Sequence, residues 1–156
     1  MITCKLRKLY FWKVMCVTFH QQNIQSKLSN RKALKLFIQN LFTHEKRNLK
    51  KLDYIFCTDS FLLDMNQQYL KHHYFTDIIS FNLSEHAESI VGEIYISIDR
   101  VQENAIQFKT SYVQELHRVI FHGALHLCGY EDKTKKDQSL MRKKENFYLQ
   151  AYFTQK

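Results

Sequence analysis

The chain has 156 residues, of which 45% are hydrophobic and 14% aromatic, and its 23 Lys and Arg exceed its 15 Asp and Glu to give a formal charge of +8. This composition excludes a disordered protein, and the length suits one domain with a substantial core. No stretch approaches the roughly 18 to 20 apolar residues that span a bilayer, so a membrane protein is excluded, and the positive charge favours a polyanionic partner.

The first residues, 1–14, form a basic and aromatic segment without the apolar region or the cleavage site of a signal peptide. We predict that they are an N-terminal extension, or that they precede the true start at Met15, and that residues 15–156 form one domain with a cytoplasmic location. The four cysteines contain no CxxC pair, which predicts reduced thiols rather than a zinc ribbon or a disulfide framework.

The first half of the chain alternates between strand and helix patterns. Residues 16–20 predict a strand, and Ser29 or Asn30 can cap a helix that continues to about His44. A buried strand is predicted over 53–58, because apolar and aromatic residues dominate that stretch.

A second helix is predicted to begin at Asp59 or Ser60, and strands are predicted near 77–82 and 91–98. A long helix with a continuous apolar stripe then leads to a histidine motif. Asp137 is predicted to begin the last helix. The residues predicted to face inward from that helix are Leu140, Met141, Phe147, Tyr148 and Ala151. The predicted fold class is α+β, a single domain in which a small mixed sheet of about four strands packs with helices.

The segment HGALHLCGYED, residues 122–132, has the spacing of a metal site. Residues i and i+4 lie on the same face of a helix, so His122 and His126 can bind one ion. Gly129 can adopt a positive φ just past the helix end, which would bring Asp132 to the same ion. Three protein ligands and an open fourth position describe a catalytic zinc site on a helix and the loop that follows it.

Two alternatives concern this motif. The same spacing occurs in metzincin proteases, but those enzymes carry a glutamate general base directly after the first histidine, where this chain has Gly123. Cys128 is a competing third ligand, since thiolates bind zinc, but on a helix it is rotated away from the face of the two histidines. We therefore prefer Asp132 as the third ligand.

The motif resembles the metal-binding signature of the YbeY family, bacterial endoribonucleases that act in ribosomal RNA maturation. Asn66 to Tyr69, Thr76 to Phe81 and Gly92 to Ser97 resemble further blocks of that family in the same order. The resemblance implies one Zn²⁺ per chain, held by His122, His126 and Asp132. It also implies cleavage of single-stranded RNA without DNA specificity, maturation of the 3′ end of small-subunit ribosomal RNA, and ribosome quality control, with the small subunit as partner.

The chain departs from the family pattern at two positions. Asp132 stands where the third ligand is most often histidine, and carboxylate oxygen is also an acceptable zinc ligand. Leu70 stands where the family has an arginine, so Lys71 is the nearest cation and is the predicted substrate-binding residue. Lysine lacks the bidentate fork of arginine, so it would hold a phosphate with less geometric definition.

The sequence assigns no catalytic residue, because water on the metal can act without a protein nucleophile. Glu131 is a candidate general acid or base only through its adjacency to Asp132. His72 and His73 could line the same cleft, whereas His117 is predicted to be structural. A non-catalytic ribosome-assembly factor, whose zinc only holds the loop after Gly129, is the alternative to an enzyme, and a metalloprotease is a further one.

Overall fold

The computed structural model describes residues 16–154, so the prediction for residues 1–14 lies outside the described residues. Helices and strands alternate along most of this range. The elements are β1 (Val17–Gln21), α1 (Arg31–His44), β2 (Leu49–Cys57), α2 (Asp59–Leu70), β3 (Ile78–Asn82), β4 (Ile90–Ser97), α3 (Ile98–Gln107), α4 (Tyr112–Cys128) and α5 (Lys135–Thr154). None of the described helices is long and apolar enough to cross a membrane.

The four described strands form one mixed sheet in the order β1, β2, β4, β3. β1 pairs with β2 and β2 with β4 in parallel, whereas β3 pairs with β4 in antiparallel orientation. Parallel neighbours need a crossover, which α1 provides between β1 and β2. The predicted α+β class and the small mixed sheet are confirmed.

The main core lies between the sheet and helices α1, α4 and α5. Alternate residues of β4 face it, so Ile94 and Ile96 are fully buried there. The hydroxyl of Tyr54 on β2 donates a hydrogen bond of 3.0 Å to the carbonyl oxygen of Ile120 on α4. Helix α4 is thereby held against the sheet by apolar packing and by one buried polar contact.

Helix boundaries follow the predictions closely, but the caps differ. Asn30 lies at the N-cap of α1 in a left-handed conformation, with φ of 50°, and its side chain makes no capping hydrogen bond. Helix α2 is capped by Thr58, which accepts from the backbone N–H of Phe61, rather than by Asp59 or Ser60. Strand β2 begins at Leu49, four residues before the predicted start.

Helix α3 was not predicted. It follows β4 without an intervening turn, and Ser97 ends the strand and caps the helix at once by accepting from the N–H of Arg100. The predicted inward positions of Leu140 and Phe147 on α5 were wrong, since these side chains are 46% and 51% exposed. Met141 and Tyr148 are buried as predicted, and Glu145 shares their face, so a carboxylate interrupts the apolar stripe of the helix.

Candidate metal centre

The side chains of His122, His126 and Asp132 converge at the C-terminal end of α4. One ligand atom from each lies within 4.8 Å of the other two. The two histidine Nε2 atoms are 2.8 Å apart, and each lies 3.6 Å from Oδ2 of Asp132. The structure thus brings together the three residues that the motif singled out.

Gly129 turns the chain back toward the helix, as predicted. Its φ is 102°, a left-handed value that favours glycine, and no atom would contact a Cβ there. The N–H of Gly129 donates to the carbonyl oxygen of His126, and the N–H of Tyr130 donates to that of Leu125. These two bonds form a Schellman motif, which ends α4 and directs the next residues over its last turn.

The hydrogen bonds of the two imidazoles define their tautomers. His126 Nδ1 donates to the carbonyl oxygen of Tyr130 at 2.9 Å, and His122 Nδ1 donates to the carboxylate of Glu145 at 2.8 Å. Neither oxygen can donate, so both protons lie on Nδ1 in the neutral imidazoles. The lone pairs of both Nε2 atoms therefore point toward the same place, where they repel each other unless a cation or a proton lies between them.

This arrangement fits a tetrahedral divalent metal. A zinc ion with Zn–N and Zn–O distances of about 2.0 Å separates its ligands by about 3.3 Å, close to the 3.6 Å between each Nε2 atom and Asp132 Oδ2. The 2.8 Å between the two Nε2 atoms is shorter, so the imidazoles would move apart by about 0.5 Å to bind the ion. Burial and the neighbouring His122 lower the pKa of His126, which favours the neutral, ligating form. Two imidazoles and one carboxylate can hold a metal here.

Glu145 supports the centre from α5 and was not predicted to belong to the site. It is only 4% exposed, and besides His122 it accepts from Arg118 at 3.0 Å and lies 3.1 Å from Arg142. Burial raises the pKa of the Glu145 carboxyl. The hydrogen bond from His122 and the two arginines lower this pKa by more, so it lies below its usual value. A carboxylate behind a metal-binding histidine orients the ring and raises its basicity.

Glu45 anchors the loop that carries Asp132. Its carboxylate accepts from Tyr130 Oη at 2.7 Å and from Lys144 Nζ at 2.8 Å, and it also accepts from the hydroxyl of Tyr148. Burial raises the pKa of Glu45, but these hydrogen bonds outweigh it and bring the pKa down to about 2. One nearly buried carboxylate thus ties together the end of α1, the loop and α5.

Replacing Glu45 by glutamine should make stability less dependent on acidic pH. Since the pKa falls from 4.5 unfolded to about 2 folded, ionised Glu45 stabilises the protein above pH 4.5, and this contribution is lost as the pH falls toward 2. The variant should be roughly 3 kcal/mol less stable at pH 7, with the difference narrowing below pH 4.5. Urea unfolding at several pH values measures this. Glu103→Gln, at an exposed ion pair, is the matched control, and a constant difference between native protein and Glu45→Gln from pH 7 to pH 3 would contradict the assignment.

A cleft of about 570 Å³ opens beside the three ligands. Helix α4 and the loop after it form one wall, and β3 with the segment between α2 and β3 forms the other. Ser80 on β3 is notable, because its buried hydroxyl has no hydrogen-bond partner among the residues that the structure describes. The residues lining the cleft include Asn66, Leu70, His72, Tyr74, Thr76, Asp77, Ser80 and Lys133.

The other candidate residues take different places. Leu70 and His72 line the cleft, whereas Lys71 lies between them at the end of α2 in a left-handed conformation and is not among the lining residues. Glu131 is exposed and pairs with Lys133 at 2.8 Å. His73 does not line the cleft either. Substrate binding by Lys71 and general acid or base catalysis by Glu131 stay predictions.

His117 and Cys128 lie away from the three ligands. His117 is buried and donates from Nδ1 to the carbonyl oxygen of Val113, in agreement with a structural role. Burial raises the pKa of the Cys128 thiol to about 12, which disfavours the thiolate that a metal would require. Neither residue competes with Asp132.

Gly123 faces the sheet rather than the cleft. A Cβ on this residue would lie 2.8 Å from Ile78 Cδ1 and 2.8 Å from Ile94 Cγ2. Its close neighbours are thus isoleucine side chains of β3 and β4. A glutamate in this position would point into apolar packing, which argues against the metalloprotease alternative.

Comparison with known proteins gives a consistent result. A family model described as Endoribonuclease YbeY matches residues 17–153. A protein of Cytophaga hutchinsonii with the same description is 44% identical over 133 residues, which cover 85% of this chain and 93% of that protein. One from Flavobacterium psychrophilum is 47% identical over 116 residues, 74% of this chain and 82% of that protein. The solution structure of TM1509 from Thermotoga maritima is similar, with a TM-score of 0.58 and 26% identity over 88% of this chain and 89% of that one.

Proposed function

Because the chain belongs to the YbeY family of endoribonucleases, we propose that it is a zinc-dependent hydrolase that cleaves single-stranded RNA. The proposal extends to the maturation of the 3′ end of small-subunit ribosomal RNA and to ribosome quality control in the cytoplasm. The observation that carries it is the convergence of His122, His126 and Asp132 at the edge of an open cleft.

The donor set supports a catalytic metal rather than a closed structural one. Three residues of the described chain offer ligand atoms, and the cleft beside them leaves room for substrate. A bound zinc ion would activate water and stabilise charge on the phosphoryl oxygen. Asp132 adds one negative charge, and a carboxylate in the ligand set also suits manganese and other divalent ions.

Positive charge beside the ligands supports a nucleic-acid substrate. Lys133 lines the cleft directly after Asp132, and Lys135 and Lys136 follow at the start of α5. Lysines hold phosphates as point charges and do not read the base sequence, which suits an enzyme that binds the RNA backbone. Binding should therefore weaken as the salt concentration rises.

The unpaired hydroxyl of Ser80 favours a polar substrate in the same cleft. An unpaired buried hydroxyl costs free energy, so its persistence here is explained if a phosphoryl oxygen of the substrate accepts its proton. The geometry makes Ser80 a candidate for contact with the substrate.

Replacing Ser80 by alanine should separate activity from stability. The free energy of unfolding should not fall, because the substitution removes an unpaired buried hydroxyl and none of the described hydrogen bonds. RNA cleavage should fall about 10- to 150-fold, since a hydrogen bond to a charged group contributes about 1.5 to 3 kcal/mol. Thermal unfolding and kcat/KM of the same preparations measure both effects. Ser139→Ala is the control, because Ser139 is exposed and does not line the cleft. Unchanged cleavage by Ser80→Ala would show that Ser80 does not contact the substrate.

The test of the function is hydrolysis of a labelled single-stranded RNA by the zinc-loaded protein, with the matching duplex as the contrast. Cleavage of the single strand alone, abolished by a chelator and restored by zinc, supports the proposal. Zinc binding without any cleavage of the RNA would instead favour the assembly-factor function.

A further inference from the structure

An exposed pair of rings lies at the mouth of the cleft. His72 and Tyr74 stack with their ring centroids 5.1 Å apart and their planes within 21° of parallel. The hydroxyl of Tyr74 and Nδ1 of His72 are 3.1 Å apart, within hydrogen-bond distance. Tyr74 is 59% exposed although its ring is large and mostly apolar. The pair therefore presents an aromatic surface to solvent.

The segment that carries this pair is held in place by one buried side chain. Asn66 on α2 is 1% exposed, and its side-chain amide donates to the carbonyl oxygen of Tyr74 at 2.8 Å. The carbonyl oxygen of Asn66 in turn accepts from the N–H of His72 at 3.2 Å. Both members of the ring pair are thus fixed to the same residue, so the surface is preorganised.

The ring pair lines the same cleft as His122, His126 and Asp132. The neighbouring Phe75 is also exposed, but the guanidinium of Arg100 lies 4.6 Å from the centre of its ring, and Asp59 holds that guanidinium at 2.9 Å. Phe75 does not line this cleft, whereas His72 and Tyr74 do. Tyr74 and His72 are the rings that the cleft offers to a ligand.

We propose that the His72 and Tyr74 rings form a stacking platform for one unpaired nucleobase of the RNA, next to the phosphodiester bond that is cleaved. The inference rests on the proposed function and deepens it. Aromatic side chains bind bases of any identity through their faces, and only an unstacked base can reach them. A base inside a duplex is already stacked between its neighbours, so the platform would account for a preference for single strands.

Removing the Tyr74 ring should weaken recognition of single strands specifically. Stacking of one base on an aromatic side chain corresponds to about a 5- to 150-fold effect on affinity. Tyr74→Ala should lower kcat/KM for a single-stranded RNA by that factor while zinc content and any residual duplex cleavage stay unchanged. Tyr74→Phe keeps the ring and should retain most of the activity. Phe108→Ala is the matched control, because Phe108 is 57% exposed and does not line this cleft.

Binding provides a second measurement that does not depend on cleavage. A short RNA with one 2-aminopurine loses fluorescence when that base stacks on an aromatic ring. After rapid mixing with the zinc-loaded protein, we expect quenching by native protein, Tyr74→Phe and Phe108→Ala, and much less by Tyr74→Ala. Equal quenching and equal single-strand cleavage by native protein and Tyr74→Ala would overturn the platform while leaving the proposed function intact. Quenching lost only in Tyr74→Ala, with no cleavage by native protein, would support the platform and overturn the proposed hydrolysis.

Discussion

Replacing His126 by alanine is expected to remove the metal and to reduce RNA hydrolysis at least about a thousandfold. The imidazole supplies one of three ligands, and its Nδ1 also donates to the carbonyl oxygen of Tyr130 in the loop that carries Asp132. The substitution therefore deletes a ligand and loosens a second one. A metal contributes several kcal/mol to stabilising the charge of the transition state, and each 1.36 kcal/mol changes the rate tenfold.

Elemental analysis and cleavage of a labelled single-stranded RNA should be measured on the same preparations. His86→Ala is the matched control, because His86 is exposed and distant in sequence from the motif. Native protein and the control should hold one equivalent of metal and cleave equally. Equal cleavage by His126→Ala would point to a contaminating nuclease, and a full metal content in that variant would show that His126 is not a ligand.

The convergence of the three candidate metal ligands could be predicted because their geometry is local in sequence. His122 and His126 are one helical turn apart, and Gly129 with φ of 102° returns the chain within three residues to Asp132. The apolar stripe of α4 also predicted its packing on the sheet, since Ile120 and Ala124 are fully buried, but Val113, the first residue of the predicted stripe, is 42% exposed. Each of these inferences needs only the spacing of neighbouring residues and standard helix geometry.

The residues that hold the ligands in place could not be predicted in this way. Glu145 lies 23 positions after His122, and Glu45 lies 85 positions before Tyr130. Both are glutamates in helical or capping positions, where an exposed carboxylate is the ordinary expectation. Their roles follow only from the packing of α1 and α5 around α4. One signal was present: Glu145 shares the helical face of Met141 and Tyr148, a charged residue within an apolar stripe.

The missed helix has a comparable physical cause. Ile98 and Val101 continue the β-branched, apolar character of β4 across the boundary, although the residues between and after them are mostly polar. Together with Ala105 they form the buried face of the helix, at helical rather than strand spacing. The chain contains no proline and only three glycines, which removes the usual signals for a boundary. Ser97 marks the transition, because its hydroxyl caps the helix that begins at the next residue, and Asp99 in the first turn is a second signal.

Replacing Glu145 by glutamine is expected to weaken metal affinity about 10- to 100-fold while all three ligands remain. The amide still fits the space and can accept from His122, but it lacks the negative charge that raises the basicity of the imidazole. The amide must also face Arg118 and Arg142, and both lose the carboxylate that they contact. The free energy of unfolding should fall as well, but by less than the roughly 3 to 5 kcal/mol of a fully buried pair, because Arg118 keeps Glu115 at 3.9 Å and Arg142 is 57% exposed.

The two effects can be separated with a second buried glutamate on the same helix pair. Glu115 is 3% exposed and lies 3.9 Å from Arg118, but it makes no described contact with His122. Glu115→Gln should therefore change stability and leave the zinc affinity at its native value. Competition titration against a zinc-binding dye, run on both variants at a temperature where both are folded, measures the affinity. If Glu115→Gln and Glu145→Gln lost affinity equally, the effect would come from general loosening of the helices, and Glu145 would have no specific role behind His122.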